Sequence, residues 1–273
     1  NLHADILDGA ELSTDVIADP GVDTKIPSEK AIRTTLTNLV ATLGLDGWLP
    51  ADETWTYASA DSPSFTFTIS GDKSTKYYPG MRIKLTQSST VKYFIVTKVS
   101  YSSPNTTITI YGGTDYSLAN EAISSPYYSM VKAPAGFPLD PTKWTVTATL
   151  SGSQSNPTQN TIYNLGGSNI VVPIGAWFLV IKVNIQLALS SGVTDVYAGM
   201  STTNNTFEIS DFYQDIYISA SNNLVPLNFY YPLNISSKTT YYFVAKSVSA
   251  DGTVLQINSE GGTCWAKAIC AYL

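Results

Sequence analysis

Glu208, Asp211 and Asp215 stand close together in the chain, interleaved with Phe212, Tyr213 and Tyr217. Two carboxyls about 5 to 10 Å apart are what a glycosidase needs, one protonated to release the leaving oxygen and one ionised to attack or to activate water. The neighbouring rings are of the kind on which a sugar face stacks. The same residues therefore admit three roles: a catalytic pair, a receptor contact without catalysis through Glu208, Asp211, Tyr213, Asp215 and Tyr217, or the solvated end of a strand, which is the commonest place for acids.

Other chemistries lack their parts. A Ser-His-Asp arrangement needs a histidine beside a pocket, and the single His3 lies in an acidic opening segment. Gly166-Gly167 and Gly261-Gly262 are not followed by the helix and lysine of a phosphate loop, so they are expected to be turns. Cys264 and Cys270 fall in the alternating stretch from Thr263 to Tyr272. On one strand they share a face at roughly 20 Å, beyond the reach of a disulfide. Two reduced, buried thiols are expected, with no metal or other cofactor. The chain is expected to be non-enzymatic.

Net charge is -6 and the sequence pI is about 4.7, the wrong sign for neutralising phosphates, so no nucleic-acid partner is expected. The most apolar run, from Ile174 to Leu189, is interrupted by Lys182, Asn184 and Gln186, so no membrane insertion is expected. The sequence opens on Asn1 with no basic segment leading into an apolar one, and no secretory leader is expected; the missing Met points to processing or to an incomplete chain.

The elements that must position these residues are mainly β. Only 13% of residues are charged, and the polar surface must instead be built from 32 Thr and 31 Ser, which with 18 Tyr favours pleated sheet. Residues 1–61 carry 11 acids and 3 bases, residues 62–143 carry 4 and 8, and residues 144–273 carry 6 and 4, giving -8, +4 and -2, which sum to the net -6. Those blocks indicate segments with different surroundings.

Residues 1–27, broken by Asp19-Pro20-Gly21, are expected to be an extended acidic attachment arm. Residues 28–51 hold a helix and a linker, with Ser28 as cap and Gly44 as stop. Ile32, Leu36, Leu39 and Leu43 follow 4-3-4 spacing, a narrow seam of the coiled-coil type. A helix of this length with so many threonines is marginal alone and must bury that seam, against its own chain or against copies of itself. Residues 52–140 show short alternating runs around Phe65, Phe67, Ile69, Ile83, Leu85, Val91–Val99 and Thr106–Tyr111, which suit a small barrel or sandwich. A stiff linker is marked by Pro126, Pro134, Pro138 and Pro141. Residues 141–273 contain the clearest periodicity, Trp177 to Leu189 at every second position, and further strands near 194–200, 213–220, 224–231, 239–248, 253–258 and 263–272. That number of antiparallel strands suggests a jelly-roll sandwich.

Lys25-Ile26-Pro27-Ser28-Glu29-Lys30-Ala31-Ile32-Arg33 resembles a motif of bacteriophage tail fibre proteins that precedes a short trimeric helix. The stretch containing Trp55, Gly80–Lys84, Tyr93–Thr97, Tyr111–Tyr116 and Ala135–Pro138 looks like a module of phage minor structural proteins, and residues 141–273 look in pattern like the trimeric C1q and tumour-necrosis-factor type of head. The resemblance implies a homotrimeric virion fibre on the particle surface, made in the host cytoplasm. Its arm would dock on other virion proteins and its head would adhere to a host surface glycan or protein. It also admits a structural head or tail fibre, or decoration, that binds no receptor, and a polysaccharide depolymerase.

Overall fold

The computed structural model describes residues 11–13, 25–27, 29–43, 46–189, 193–207, 213–219, 223–248, 252–260 and 262–273. The fold is mainly β, with nineteen strands and one α-helix among those residues. β1 (Glu11–Ser13) pairs in parallel with β2 (Lys25–Pro27), and helix α1 (Glu29–Leu43) follows. The cap and stop expected at Ser28 and Gly44 lie outside the described residues.

β3 (Leu49–Pro50), β4 (Thr56–Asp61), β5 (Ser64–Ser70), β6 (Arg82–Gln87), β7 (Thr90–Ser102), β8 (Asn105–Tyr111) and β9 (Ser124–Ser129) make one antiparallel sheet in the order β3-β9-β6-β7-β8-β5-β4. Alternation sends Phe65, Phe67, Ile69, Ile83, Leu85, Phe94, Ile108 and Ile110 to one buried cluster. Ring contacts cross that cluster in a chain, Phe67 to Trp55 (4.5 Å between centroids), Trp55 to Tyr77 (6.1 Å) and Tyr77 to Tyr128 (5.5 Å). The unit expected as a small barrel or sandwich is one seven-stranded sheet whose edge strands β3 and β4 are not paired with each other. A cleft of ≈ 390 Å³, lined by Thr54–Tyr57 and Asn120–Ile123, lies beside edge strand β4.

A 3-10 turn, Pro141–Trp144, leads into the second unit; Asp140 accepts from the Thr142 N–H at 3.0 Å. Ten strands follow: β10 (Thr145–Thr149), β11 (Gly152–Ser155), β12 (Tyr163–Val172), β13 (Gly175–Ala188), β14 (Val193–Ser201), β15 (Tyr213–Ser219), β16 (Asn223–Ile235), β17 (Thr239–Ser247), β18 (Val254–Ile257) and β19 (Trp265–Cys270). Their antiparallel pairings are nested about β14–β15: β13 pairs β16, β12 pairs β17, β11 pairs β18 and β10 pairs β19. They divide into a four-stranded sheet, β12-β17-β14-β15, and a six-stranded sheet built on β13. The fourteen-residue β13 pairs β16 along one edge and both β19 and β18 along the other. Trp177, Leu179, Ile181, Val183, Ile185 and Leu187 all point into the shared core, as their spacing requires. Cys264 and Cys270 are buried free thiols, and burial pushes the Cys270 thiol up to about 11.

The proline-rich segment between the units is packed, not free. Pro126 lies within β9, and Phe137 is buried with its ring stacked on Trp144 at 5.1 Å. Trp48, Ile95 and Tyr111 of the first unit join the core of the second, where Tyr111 meets Trp177 edge-on at 4.9 Å. Arg82 is fully buried at this joint. Its guanidinium donates to the carbonyls of Gly80 (2.7 Å), Lys132 (3.1 Å) and Tyr272 (2.8 Å) and lies 4.9 Å from the Phe137 ring centroid. Burial lowers its pKa, against the opposing effect of Cys270, and the three carbonyl bonds replace part of the hydration that the buried guanidinium loses. At Gly113, with φ of 64°, a Cβ would come 2.3 Å from the Lys143 carbonyl that accepts from the Thr114 N–H, so the chains meet closely only because this position is glycine.

Candidate functional site

The helix seam is the first candidate. Along α1, Ile32 is 43% exposed and Leu36 is 55% exposed, and Arg33, Thr34, Thr37 and Asn38 beside them are exposed too. Leu39 and Leu43 lie on the same helix, but their side chains are outside the described residues. Thr37 Oγ1 donates back to the Arg33 carbonyl at 2.8 Å, a local bond that holds nothing against another element. The apolar stripe predicted from spacing is therefore present at Ile32 and Leu36, with solvent over it.

The second candidate is the outer face of the four-stranded sheet. Glu208 and Asp211 lie outside the described residues, as does the side chain of Tyr213, whose backbone opens β15 opposite Gly199. Asp215 and Tyr217 are exposed, Tyr217 by 65%. Register sets Asp215 opposite Tyr197 and Tyr217 opposite Asp195, while Lys246 of β17 holds its ammonium 5.3 Å from the Tyr197 ring centroid. Partial desolvation, and then the negative charge of Asp195, raise the Asp215 carboxyl; the Ile216 N–H works against that shift. Asp195 is thus the carboxylate that β14–β15 pairing brings to Asp215, a partnership twenty positions apart in sequence that only the hairpin register reveals. Rings and acids alternate on this flank, a surface that can stack and hydrogen-bond.

A third surface was not visible in the sequence. On the outer face of the six-stranded sheet, Gln186, Gln256, Asn258 and Glu260 line a polar groove of ≈ 440 Å³ over Ala188 and Val254. Gln186 Oε1 accepts from Gln256 Nε2 at 2.5 Å and from Asn258 Nδ2 at 2.7 Å, so the amides are fixed before any ligand arrives. The contributing strands β13 and β18 are some 70 positions apart, and no local motif announces them. Among the described residues no group of three His, Cys, Asp or Glu is placed to hold a metal ion, and no helix is long and apolar enough to cross a membrane.

No protein-family model and no curated protein matches the chain. Among solved structures it is similar to a chain of infectious bursal disease virus, Gx strain, with 12% identity and a TM-score of 0.29, covering 80% of this chain and 56% of that one. T=1 particles derived from infectious bursal disease virus give 12% identity and a TM-score of 0.29 over 80% and 54%. Dimeric latent PorU from Porphyromonas gingivalis gives 9% identity and 0.26 over 81% and 24%. The chain spans about half the length of the viral chains it matches, and likenesses of this depth define neither a family nor an activity.

Proposed function

We propose that this chain is a homotrimeric virion fibre protein of a bacteriophage, which adheres to the host surface without catalysis. The observation that carries the proposal is the uncovered seam of α1. A fifteen-residue helix rich in threonine is marginal in water, yet it turns Ile32 and Leu36 to solvent. Copies of the same helix supply the missing cover, with Leu39 and Leu43 continuing the stripe, and 4-3-4 spacing is the pattern by which such helices interlock. The nested pairings of β10 to β19 support a jelly-roll head, since a long hairpin folded over into two facing sheets yields that order. Residues 1–27 would dock on the particle. The flank of Tyr197, Asp195, Asp215 and Tyr217 suits adhesion through stacking and hydrogen bonds.

Sedimentation equilibrium at micromolar concentration should give three times the 29.4 kDa of one chain; a single-chain mass would overturn the trimer. Host cells incubated with the purified protein should then adsorb virus more slowly. Unchanged adsorption at saturating protein, with particles lacking the protein infectious but less robust to heat or salt, would establish a decoration in its place.

A further inference from the structure

The tip of the β4–β5 hairpin sends Phe65 and Phe67 into the ring core and presents Ser64 and Thr66 on the opposite face. Cross-strand register brings Asp61 beside Ser64, and sets Ser59 and Thr109 on either side of Thr66. The second unit closes over this patch with Ile174, from the turn before β13, and Lys238, from the turn between β16 and β17. A half-open cleft of ≈ 160 Å³ remains between the two units. Lys238 Nζ donates to Asp61 Oδ1 at 2.5 Å, so the formal charges of the lining cancel. Ser59 Oγ and Thr66 Oγ1 are hydrogen-bonded at 2.7 Å. Ser64, only 7% exposed, has a hydroxyl with no hydrogen-bond partner. Buried hydroxyls are almost always paired, so Ser64, at the wall of the cleft, carries a donor and acceptor that the chain itself leaves unused.

We propose that the cleft is a subsite for one neutral sugar residue. It is too small for more than about one ring, and its polar groups are hydroxyls that both donate and accept, as sugar hydroxyls do. Ile174 offers an apolar wall to the C–H face of a ring, the mixture of apolar surface and few oriented polar groups that small-molecule sites use. An anionic ligand is disfavoured because Asp61 already neutralises Lys238, the one cation of the lining. The proposal goes beyond the adhesive flank at Tyr197 by adding a separate subsite with a stated ligand class, and it rests on the adhesion reading for its biological role.

Saturation-transfer NMR on the full chain tests it, with glucose, galactose, mannose, rhamnose and N-acetylglucosamine as probes, and glucuronate and inorganic phosphate as charged controls. At least one neutral sugar should bind in the millimolar range, and the controls should bind about tenfold more weakly or not at all. Ser64→Val should remove the signal, and the isosteric Thr66→Val and Thr109→Val, which preserve strand shape if the first variant misfolds, should each weaken binding by about tenfold. A cleft that holds only water gives no transfer to any sugar, and that result overturns the proposal, as does binding unaffected by all three substitutions. The two readings separate in the adsorption assay. Sugar binding with no competition for adsorption retires the adhesion reading and keeps the subsite, whereas full competition by a folded Ser64→Val protein that no longer binds sugar places host recognition elsewhere and removes the subsite's role.

Discussion

The two β units bury their sheets with different side chains. Among the described residues no other sheet contributes to the cluster buried on the seven-stranded sheet, and that cluster is rich in rings, with Trp55, Phe65, Phe67, Tyr77 and Phe94. In the second unit, two sheets interdigitate, and branched aliphatics such as Leu179, Ile181, Val183 and Ile185 meet Val196, Ile218 and Ala245. Long, flat rings reach far from a sheet that fills its core without a partner sheet, while facing sheets about 10 Å apart can be filled by shorter side chains from both sides. The joint between the units uses neither device alone. It combines rings, close backbone contacts and one buried guanidinium, and makes the two units one packed body.

A single substitution at that joint should have the largest effect. Arg82→Ala removes the hydrogen bonds to the Gly80, Lys132 and Tyr272 carbonyls and the cation over Phe137, leaves a gap where a fully buried side chain stood, and should cost about 3 to 5 kcal/mol. Calorimetry should then resolve two unfolding transitions, one for each unit, where the parent protein shows one. Arg82→Lys keeps the charge without the three-way donation and should recover only part of the loss.

The next test sets one core against the other. Ile181→Leu conserves volume between facing sheets and should cost less than about 1.5 kcal/mol. Phe67→Leu should cost more, because beyond the lost area it forfeits a stacked ring contact with Trp55 worth about 0.5 to 1.5 kcal/mol. Equal losses in urea titrations of the two variants would remove the distinction between the cores.

A smaller effect belongs to Glu53, beneath the ring cluster. Burial alone would raise its carboxyl, but hydrogen bonds and charge from Lys76, whose Nζ is 2.9 Å away, and a hydrogen bond from Tyr77 outweigh burial and hold it below the ordinary value of 4.5. A depressed folded-state pKa stabilises the protein above the unfolded value, and that contribution disappears as pH falls through the folded value. Glu53→Gln should therefore cost about 1 kcal/mol at pH 7. The gap in urea midpoint between parent and variant should close towards pH 3; a gap that persists there would place the effect in packing.

Smallest in folding energy is Ile32→Asn with Leu36→Asn, which alters exposed positions and should change the stability of the β units by no more than about 0.5 kcal/mol. Its effect should fall on assembly, read as a drop in mass by light scattering. The two regions would then divide cleanly, one holding each chain together and the other holding chains to one another.

Much of the strand content was legible because alternation is a local code. Trp177 to Leu187 alternate in the sequence and alternate in the core, and the same-face relation of Cys264 and Cys270 needs only a period of two. The helix and its stripe at Ile32 and Leu36 were likewise readable from spacing. What a local code cannot carry is which strand lies beside which. Four prolines indicate stiffness between residues 126 and 141, but not that Phe137 among them packs on Trp144. Nothing near Arg82 in the chain foretells that Tyr272 will accept from it, or that Asp195 will stand near Asp215 across a hairpin. Nor does Ser64 announce that Ile174 and Lys238 will roof it. The period of each strand and the face each residue takes are local properties, set by neighbours two to four positions away. The partners are not, because pairings between distant segments are selected by the burial and hydrogen bonding of the whole chain at once.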